Sequence, residues 1–434
     1  MKFYDREEEI EILGRNRKIS ERTGTFTVIT GRRRVGKTEL IKEAEKESRV
    51  LYHFVQKNSE SMVCEQLIRD AKESLGIDLI RTDRFDDLFR QLMIYGKDNA
   101  FTFVLDEFQE LERINKAIIS GIQNHWDSYK KRSKVNLIAC GSVYSMMIQI
   151  FQNSKEPLFG RASSNMNIHP FPPSVIKKIL KDHNPDHTSE DLLLLYMVSG
   201  GVPKYIELLM DSGAVSFDDM IRHICSKDSL FLKEGKDLLT MEFGNEYGTY
   251  HSVLRLISEG RNTAREISDS LKKEAGQYLD NLEKKYLLVK KSRPVFSGDG
   301  SRNIRWKISD RYIDFYFRFI SCNMSLIELK KFDILEEKIR KGYHGYSGRV
   351  LEEYFREKIA EEERITHIGQ YWDRKGMNEI DIIALNDVDM KAIVADVKRD
   401  KRKIDISELR RKAGTAAELN EFDIEFRGYS IDDM

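Results

Sequence analysis

A glycine-rich loop between a short apolar segment and an amphipathic helix constrains the fold of this chain more than any other feature. Residues 31–38 read GRRRVGKT, which matches the pattern GxxxxGK followed by Ser or Thr at every fixed position. The segment FTVIT precedes the loop at 26–30, and ELIKEAEKE follows it with helical spacing. Glycines let consecutive backbone N–H groups wrap a phosphate, and the helix N-terminus adds a positive dipole end. This context predicts a nucleotide phosphate-binding loop rather than a chance match in a turn.

The chemistry of such a loop assigns roles to its residues. The predicted nucleotide-binding residues are Gly31, Arg32, Arg33, Arg34, Val35, Gly36, Lys37, Thr38 and Glu39. Lys37 is expected to reach the β- and γ-phosphates as a catalytic residue, and Thr38 to bind Mg²⁺. The phosphates need the backbone N–H groups of the arginines, not their guanidinium groups. We therefore predict that at least one of these arginines ties the loop to acidic residues of a helical lid or of the C-terminal half.

A second apolar segment, FTFVLDEFQEL, supplies the acidic residues that such a loop requires. Its apolar run places Asp106 at the carboxyl end of a buried strand, where it can hold Mg²⁺ through Thr38 or water. Glu107 follows directly and is the candidate to orient or deprotonate an attacking water. The alternative is an ordinary strand that happens to end in acids. The adjacent Asp and Glu favour hydrolysis over passive binding.

Length, charge and cysteine usage limit the class of protein. A chain of 434 residues is expected to form about two to four domains. The 72 basic and 72 acidic side chains cancel, so any affinity for nucleic acid must come from a local patch. The four cysteines form no CxxC pair, which suits a reducing compartment and argues against a structural zinc site. The charged N-terminus and the polar interruptions in the longest uncharged run, 135–154, predict a cytoplasmic protein without a membrane span.

These motifs resemble the archaeal-type ATPases of the P-loop class, which are related to AAA+ and STAND ATPases. The resemblance rests on FYDREEEIEIL, TGRRRVGKTEL, VLDEFQEL, LIACGSVYSMM, PLFGRAS and GGVPKYI, in the expected order over residues 1 to about 210. It implies that the nucleotide is ATP. It further implies that Ser142 senses the γ-phosphate and that Arg161 is a sensor or trans-acting arginine. A strand-capping serine and a structural salt bridge are the respective alternatives.

Near the C-terminus, the segments EIDIIAL and KAIVADVK flank NDVD and predict a β-hairpin. Counting from the turn places Asp381 opposite Asp396, with Lys398 on the same face because strand side chains alternate. Converging carboxylates can bind Mg²⁺, and a lysine can stabilise charge on a phosphate. With Glu352 on the preceding helix, this resembles the PD-(D/E)xK nuclease fold, which implies metal binding by Glu352, Asp381 and Asp396 and catalysis by Asp381, Asp396 and Lys398. A surface hairpin or an inactive nuclease-like domain is the alternative.

Between these parts, the segment from Tyr250 predicts three helices and a glycine-containing hairpin, the winged-helix arrangement. Direct readout of DNA would place one of its helices in the major groove, whereas many such modules only join domains. The basic side chains that would face DNA are Arg265, Lys272 and Lys273 with Gln277 on the helices, and Arg302 and Arg305 on the hairpin.

The predicted fold class is α/β, with a P-loop NTPase parallel sheet, a helical lid, a winged-helix domain and a C-terminal restriction-endonuclease-like α/β domain. The predicted domains are the ATPase core at 1–172, the lid at 173–245, the winged helix at 246–323 and the nuclease-like domain at 335–434. The predicted function is Mg²⁺-dependent ATP hydrolysis coupled to a DNA-facing C-terminal half, with DNA as a further partner. The alternative is a STAND-like regulatory switch with an inactive nuclease-like domain. The sequence does not determine the oligomeric state and is compatible with a homo-oligomer.

Overall fold

The computed structural model describes residues 1–298, 300–301, 303–373, 376 and 378–434. The chain divides into two compact units, one formed by Asp5–Pro170 and the other by Met1–Tyr4 with Phe171–Met434. The further division of the second unit into lid, winged-helix and nuclease-like domains stays a prediction.

The unit Asp5–Pro170, described throughout, is built on a sheet of five parallel strands in the order β2-β3-β4-β1-β5. The strands are β1 (Thr25–Gly31), β2 (Val50–Phe54), β3 (Phe101–Asp106), β4 (Val135–Cys140) and β5 (Ser164–Ile168). The helices are α1 (Glu7–Ser20), α2 (Lys37–Glu45), α3 (Glu60–Leu75), α4 (Phe85–Tyr95), α5 (Gln109–Ile114), α6 (Ala117–Tyr129) and α7 (Tyr144–Gln152). This confirms the predicted α/β class.

Apolar sequence explains the centre of this sheet. Every residue of β1, β3 and β4 is buried, as expected for parallel strands covered on both faces. Strand β5 was not predicted individually, because its sequence SNMNI carries polar residues and lacks an apolar run. It lies at the edge of the sheet, beside β1, where only alternate residues need burial.

The second unit begins with a layer of helices and continues into a helical segment with a small hairpin. The first helices are α8 (Pro173–His183), α9 (Ser189–Ser199), α10 (Pro203–Asp211), α11 (Phe217–Ile224) and α12 (Glu234–Phe243). They are followed by α13 (Tyr247–Ser258), α14 (Ala264–Leu271), α15 (Gly276–Lys284), the antiparallel strands β6 (Val289–Ser292) and β7 (Arg305–Ile308), and α16 (Arg311–Phe315). The order of three helices followed by a hairpin is the one that the sequence predicts from Tyr250 onward, and the assignment of this segment as a winged helix stays a prediction.

The break between α9 and α10 has a steric cause. Gly201 has φ +77°, and a Cβ at this position would lie 2.1 Å from the carbonyl oxygen of Phe171. A side chain is therefore excluded where the backbone of residue 201 meets that of residue 171. Phe171 N–H also donates to the Gly201 carbonyl at 2.8 Å.

The hairpin begins earlier than the sequence predicts. The spacing of AGQYLDNLEKKYLLVKKS at 275–292 predicts one helix throughout, whereas α15 ends at Lys284 and residues 289–292 form β6. Leu287 has φ +52°, a left-handed conformation that ends a right-handed helix. Pairing of β6 with β7 then outweighs the helical propensity of the lysines.

The C-terminal part contains a long helix and a mixed sheet. A π-helix (Tyr316–Ile320) and α17 (Met324–Glu328) lead into α18 (Phe332–Glu362), the helix that carries Glu352. Strands β8 (His367–Trp372), β9 (Glu379–Asn386), β10 (Lys391–Val397) and β11 (Asp423–Tyr429), with α19 (Ile406–Ala413) between the last two, complete this part. The sheet order is β11-β10-β9-β8, with β8, β9 and β10 antiparallel and β10 parallel to β11. This is the predicted C-terminal α/β domain.

Candidate functional site

The phosphate loop connects the carboxyl end of β1 to the first turn of α2. Gly31 and Gly36 have φ of +148° and +89°, and a Cβ on Gly31 would lie 2.6 Å from the carbonyl oxygen of Ile168. Arg34 also takes a positive φ, +70°. The loop thus has the tight backbone that lets N–H groups converge on a phosphate.

Lys37 is held inside this loop. Its ammonium group donates to the carbonyl oxygens of Gly31 at 2.8 Å and Arg32 at 2.9 Å. Burial lowers the pKa of Lys37, while the nearby Cys140, Glu107 and Asp106 act in the opposite direction. A positive charge buried in this way is stabilised strongly by the negative charge of a neighbouring phosphate.

Thr38 and Asp106 meet as the sequence predicts. The Thr38 hydroxyl donates to Asp106 Oδ2 at 3.2 Å, and Asp106 Oδ1 accepts from the backbone N–H of Glu107 at 2.9 Å. Hydroxyl and carboxylate oxygens are the ligands that Mg²⁺ prefers. The pair therefore fits a magnesium ion at the phosphate loop.

Tyr52 is a contact that the sequence analysis missed. Its hydroxyl donates to the same Asp106 oxygen, and burial, followed by the Asp106 charge, raises its pKa. Tyr52 lies on β2, which pairs in parallel with β3. Knowledge of this strand order would have identified it, but no motif marks it.

Glu107 is positioned by two polar side chains. Ser142 Oγ lies 2.9 Å and 2.8 Å from its carboxylate oxygens, and the Gln109 amide also donates to the carboxylate. Glu107 itself has φ +54°. The predicted catalytic residues Glu107 and Ser142 therefore lie together, and Gln109 is a further partner that the sequence analysis did not single out.

Arg161 lies near the amino ends of β1 and β5, whereas the phosphate loop follows the carboxyl end of β1. It precedes Ser164, which pairs with Thr27 on β1, whereas the phosphate loop follows Gly31, roughly 13 Å further along that strand. Its guanidinium group binds Asp127 at 2.9 Å. This ion pair holds the Arg161 guanidinium group away from the phosphate loop of its own chain. The action of Arg161 on a neighbouring chain stays a prediction.

A second polar cluster lies on the mixed sheet. Ala395 pairs with Ile382, which sets Asp396 opposite Asp381 as predicted. Lys398 Nζ lies 3.0 Å from Asp381 Oδ2 and 2.7 Å from Asp396 Oδ1. Burial raises the pKa of Asp396, although Lys398 opposes the shift. Burial opposes the rise in the pKa of Lys398, but the two carboxylates outweigh it.

Glu352 lies beside this cluster on α18. Its Oε2 accepts from the side-chain amide of Gln370 at 3.0 Å. Burial and then the charge of Asp381 raise the pKa of Glu352 to about 7. Among the described residues no group of three Asp, Glu, His or Cys side chains is spaced to hold a metal ion. Metal binding by Glu352, Asp381 and Asp396 stays a prediction.

Two arginines of the hairpin between β6 and β7, Arg302 and Arg305, are predicted to face DNA, and DNA contact by this segment stays a prediction. Arg305 forms an ion pair with Glu379 at 2.6 Å and its guanidinium carbon lies 4.4 Å from the ring centroid of Trp372. The side chain is thus engaged by the mixed-sheet part of the same unit. Arg302 lies outside the described residues. Arg265 on α14 remains exposed, 3.8 Å from Asp269.

A parallel sheet whose phosphate loop leads to a Thr38–Asp106 pair is the arrangement of a P-loop ATPase. A family model described as an ATPase domain predominantly from Archaea matches residues 3–209, and one described as archaeal and bacterial proteins of unknown function matches residues 316–410. The chain is 32% identical over 450 residues to the uncharacterized protein MJECL04 of Methanocaldococcus jannaschii, covering 99% of this chain and 95% of that protein. The chain belongs to this archaeal ATPase family.

Solved structures share the fold. The Walker-type ATPase PABY2304 of Pyrococcus abyssi is 19% identical with a TM-score of 0.54, covering 73% of this chain and 96% of that one. The ORC2 protein of Aeropyrum pernix, solved as ADPNP–ADP complexes, is 16% identical with a TM-score of 0.50, covering 76% and 96%. Within the described ranges, no helix combines the length and the apolar character needed to cross a membrane.

Proposed function

We propose that this chain hydrolyses ATP with Mg²⁺ at the phosphate loop and uses the cycle to control a DNA-facing C-terminal unit. The observation that carries the first part is the 3.2 Å contact between Thr38 and Asp106 beside the buried Lys37. This contact joins the end of the loop to the acidic strand end, which is where a phosphate-bound magnesium ion is held in P-loop enzymes.

Different residues of the site bind the phosphates, orient the attacking water and hold the metal ion. Lys37 exchanges its loop carbonyl partners for phosphate oxygens, and Glu107 orients a water for attack on the γ-phosphorus. Ser142 and Gln109 hold the Glu107 carboxylate in place. Mg²⁺, when bound by Thr38 and Asp106, neutralises charge on the β- and γ-phosphate oxygens.

Removing magnesium tests this proposal directly. With EDTA in place of Mg²⁺, we expect phosphate release from ATP to fall to the background rate, since the Lys37 ammonium alone leaves much of the phosphate charge uncompensated. The measurement is steady-state phosphate release by the full chain, with restoration on adding excess Mg²⁺ as the control. Turnover that continues unchanged in EDTA would rule out the proposed metal site.

Nuclease activity is the second candidate function, and the geometry of Asp381, Asp396 and Lys398 favours it. Two carboxylates share one ammonium group at 3.0 Å and 2.7 Å. This arrangement could bind a metal ion if Lys398 turned toward a phosphate, where its charge would stabilise the transition state. The rival is a STAND-like regulator in which the same residues form only an ion-pair network.

Replacing Asp381 with Asn is expected to abolish cleavage of a DNA panel, because it removes a carboxylate proposed to bind the metal ion. ATP hydrolysis should stay intact, because asparagine keeps the shape of the side chain. Gel analysis with Mg²⁺ or Mn²⁺ and ATP measures cleavage. Asp387→Asn, in the turn between β9 and β10, is the matched control and should cleave normally. The absence of cleavage by the unmodified protein under these conditions would contradict nuclease activity and favour the STAND-like regulator.

A further inference from the structure

The two lysines at the centre of the winged-helix hairpin form an unusual pair. Lys290 on β6 lies directly opposite Lys307 on β7, and like charges at such positions repel each other. The neighbouring Lys291, by contrast, points to the opposite face and binds Glu283 at 2.6 Å. The pair concentrates positive charge on one face of the hairpin.

The face that carries this pair is turned toward the mixed sheet. The Lys307 ammonium donates to the side-chain oxygen of Gln370 on β8, and the Gln370 amide donates to Glu352 at 3.0 Å. The backbone of Val295, between β6 and β7, also donates to the Gln370 carbonyl at 3.0 Å. Lys307 is therefore two hydrogen bonds from the carboxylate that lies beside Asp381.

The positive charge here is incompletely balanced. Arg356 lies one turn beyond Glu352 on α18, and its buried Nη2 forms no hydrogen bond, with Glu353 Oε1 as an ion-pair partner at 3.9 Å. Lys290 forms no ion pair within the described part of the chain, and the charge of Glu357 only partly offsets that of the arginines near it. Burial and then Arg356 lower the pKa of Lys307 to about 7, and desolvation followed by Arg311 and Arg356 lowers that of Lys290. An added anion would relieve this repulsion and restore full protonation.

We propose that Lys290, Lys307 and Arg356 bind a phosphate of a nucleic-acid backbone and that the hairpin forms one wall of the site whose other wall carries Glu352, Asp381, Asp396 and Lys398. The ligand class is a polynucleotide, because an anion held by the lysines lies next to the cluster proposed to act on a neighbouring phosphodiester. This inference rests on the proposed DNA-facing function. It assigns the hairpin to the binding of the strand rather than to the reading of a groove.

The test compares the double variant Lys290→Gln/Lys307→Gln with the unmodified full chain, using a fluorescent DNA duplex in EDTA so that no cleavage occurs. We expect at least a tenfold loss of affinity by anisotropy, and a salt dependence flatter by about one to two charges between roughly 50 and 200 mM salt. Lys291→Gln, in the same strand on the other face, is the matched control and should change affinity less than about twofold.

Three outcomes separate this inference from the function on which it rests. Normal DNA binding by the double variant would overturn the inference alone. The absence of DNA binding by the unmodified protein at low salt would overturn the DNA-facing function as well. Displacement of the duplex by millimolar pyrophosphate at equal ionic strength would reassign the pair to a small phosphate compound and overturn the polynucleotide assignment. Thermal melting checks folding, and removal of the like-charge pair should leave the melting temperature unchanged or raise it.

Discussion

Replacing Lys37 with Ala is expected to lower ATP turnover by roughly 100- to 1000-fold, as loss of one preorganised donor to a developing charge does in other enzymes. The buried ammonium group is held by the Gly31 and Arg32 carbonyls, and alanine cannot transfer that charge to the phosphates. Steady-state phosphate release with saturating Mg²⁺-ATP measures the effect, and nucleotide affinity should fall as well.

The matched control for this experiment is Lys42→Ala on the same helix. Lys42 is exposed and binds Glu39 at 2.9 Å, a surface pair whose loss should cost little. Normal turnover by Lys42→Ala with loss in Lys37→Ala would support the loop as the catalytic site. Turnover that survives in Lys37→Ala would place hydrolysis elsewhere in the preparation.

Glu107→Gln is expected to separate ATP binding from hydrolysis. The amide keeps the size of the side chain and can still accept a hydrogen bond from Ser142, but it cannot take a proton from water. We expect the single-turnover rate to fall by about 100-fold or more, while the affinity for ATP changes little because Lys37, Thr38 and Asp106 remain. Quenched-flow hydrolysis and equilibrium binding of ATP measure the two effects.

Glu112→Gln is the matched control, because Glu112 lies further along α5 than Gln109 and forms no part of the group Glu107, Ser142 and Gln109. This variant should hydrolyse ATP normally. A Glu107→Gln protein that hydrolyses at the normal rate would remove Glu107 from the mechanism. One that loses ATP binding together with hydrolysis would show that the carboxylate supports the nucleotide site itself.

The sequence predicts those parts of the molecule that local chemistry determines. The phosphate loop needs glycines and a lysine at fixed spacing, and an apolar run predicts the strand that ends in Asp106. The pairing of Asp381 with Asp396 follows from counting across a short turn, since alternation along a strand leaves little freedom. Each of these features depends on neighbours close in the chain.

The features that sequence analysis missed depend on contacts between distant segments. Tyr52 reaches Asp106 only because β2 lies beside β3, and Gln370 links Lys307 to Glu352 only because the hairpin lies against β8. The hairpin begins at an earlier residue than the sequence predicts, because pairing of β6 with β7 outweighs the helical propensity of residues 288–292. No residue pattern within either segment reveals its partner.

The single long helix α18 has a mechanical consequence. With 31 residues it spans about 46 Å, and its first half contacts α9, where Tyr343 donates to Glu190 at 2.6 Å. Its second half carries Glu352, which lies beside Asp381. A continuous helix bends only at a cost in backbone hydrogen bonds, so we expect a displacement of α9 to move the Glu352 end of α18 with it.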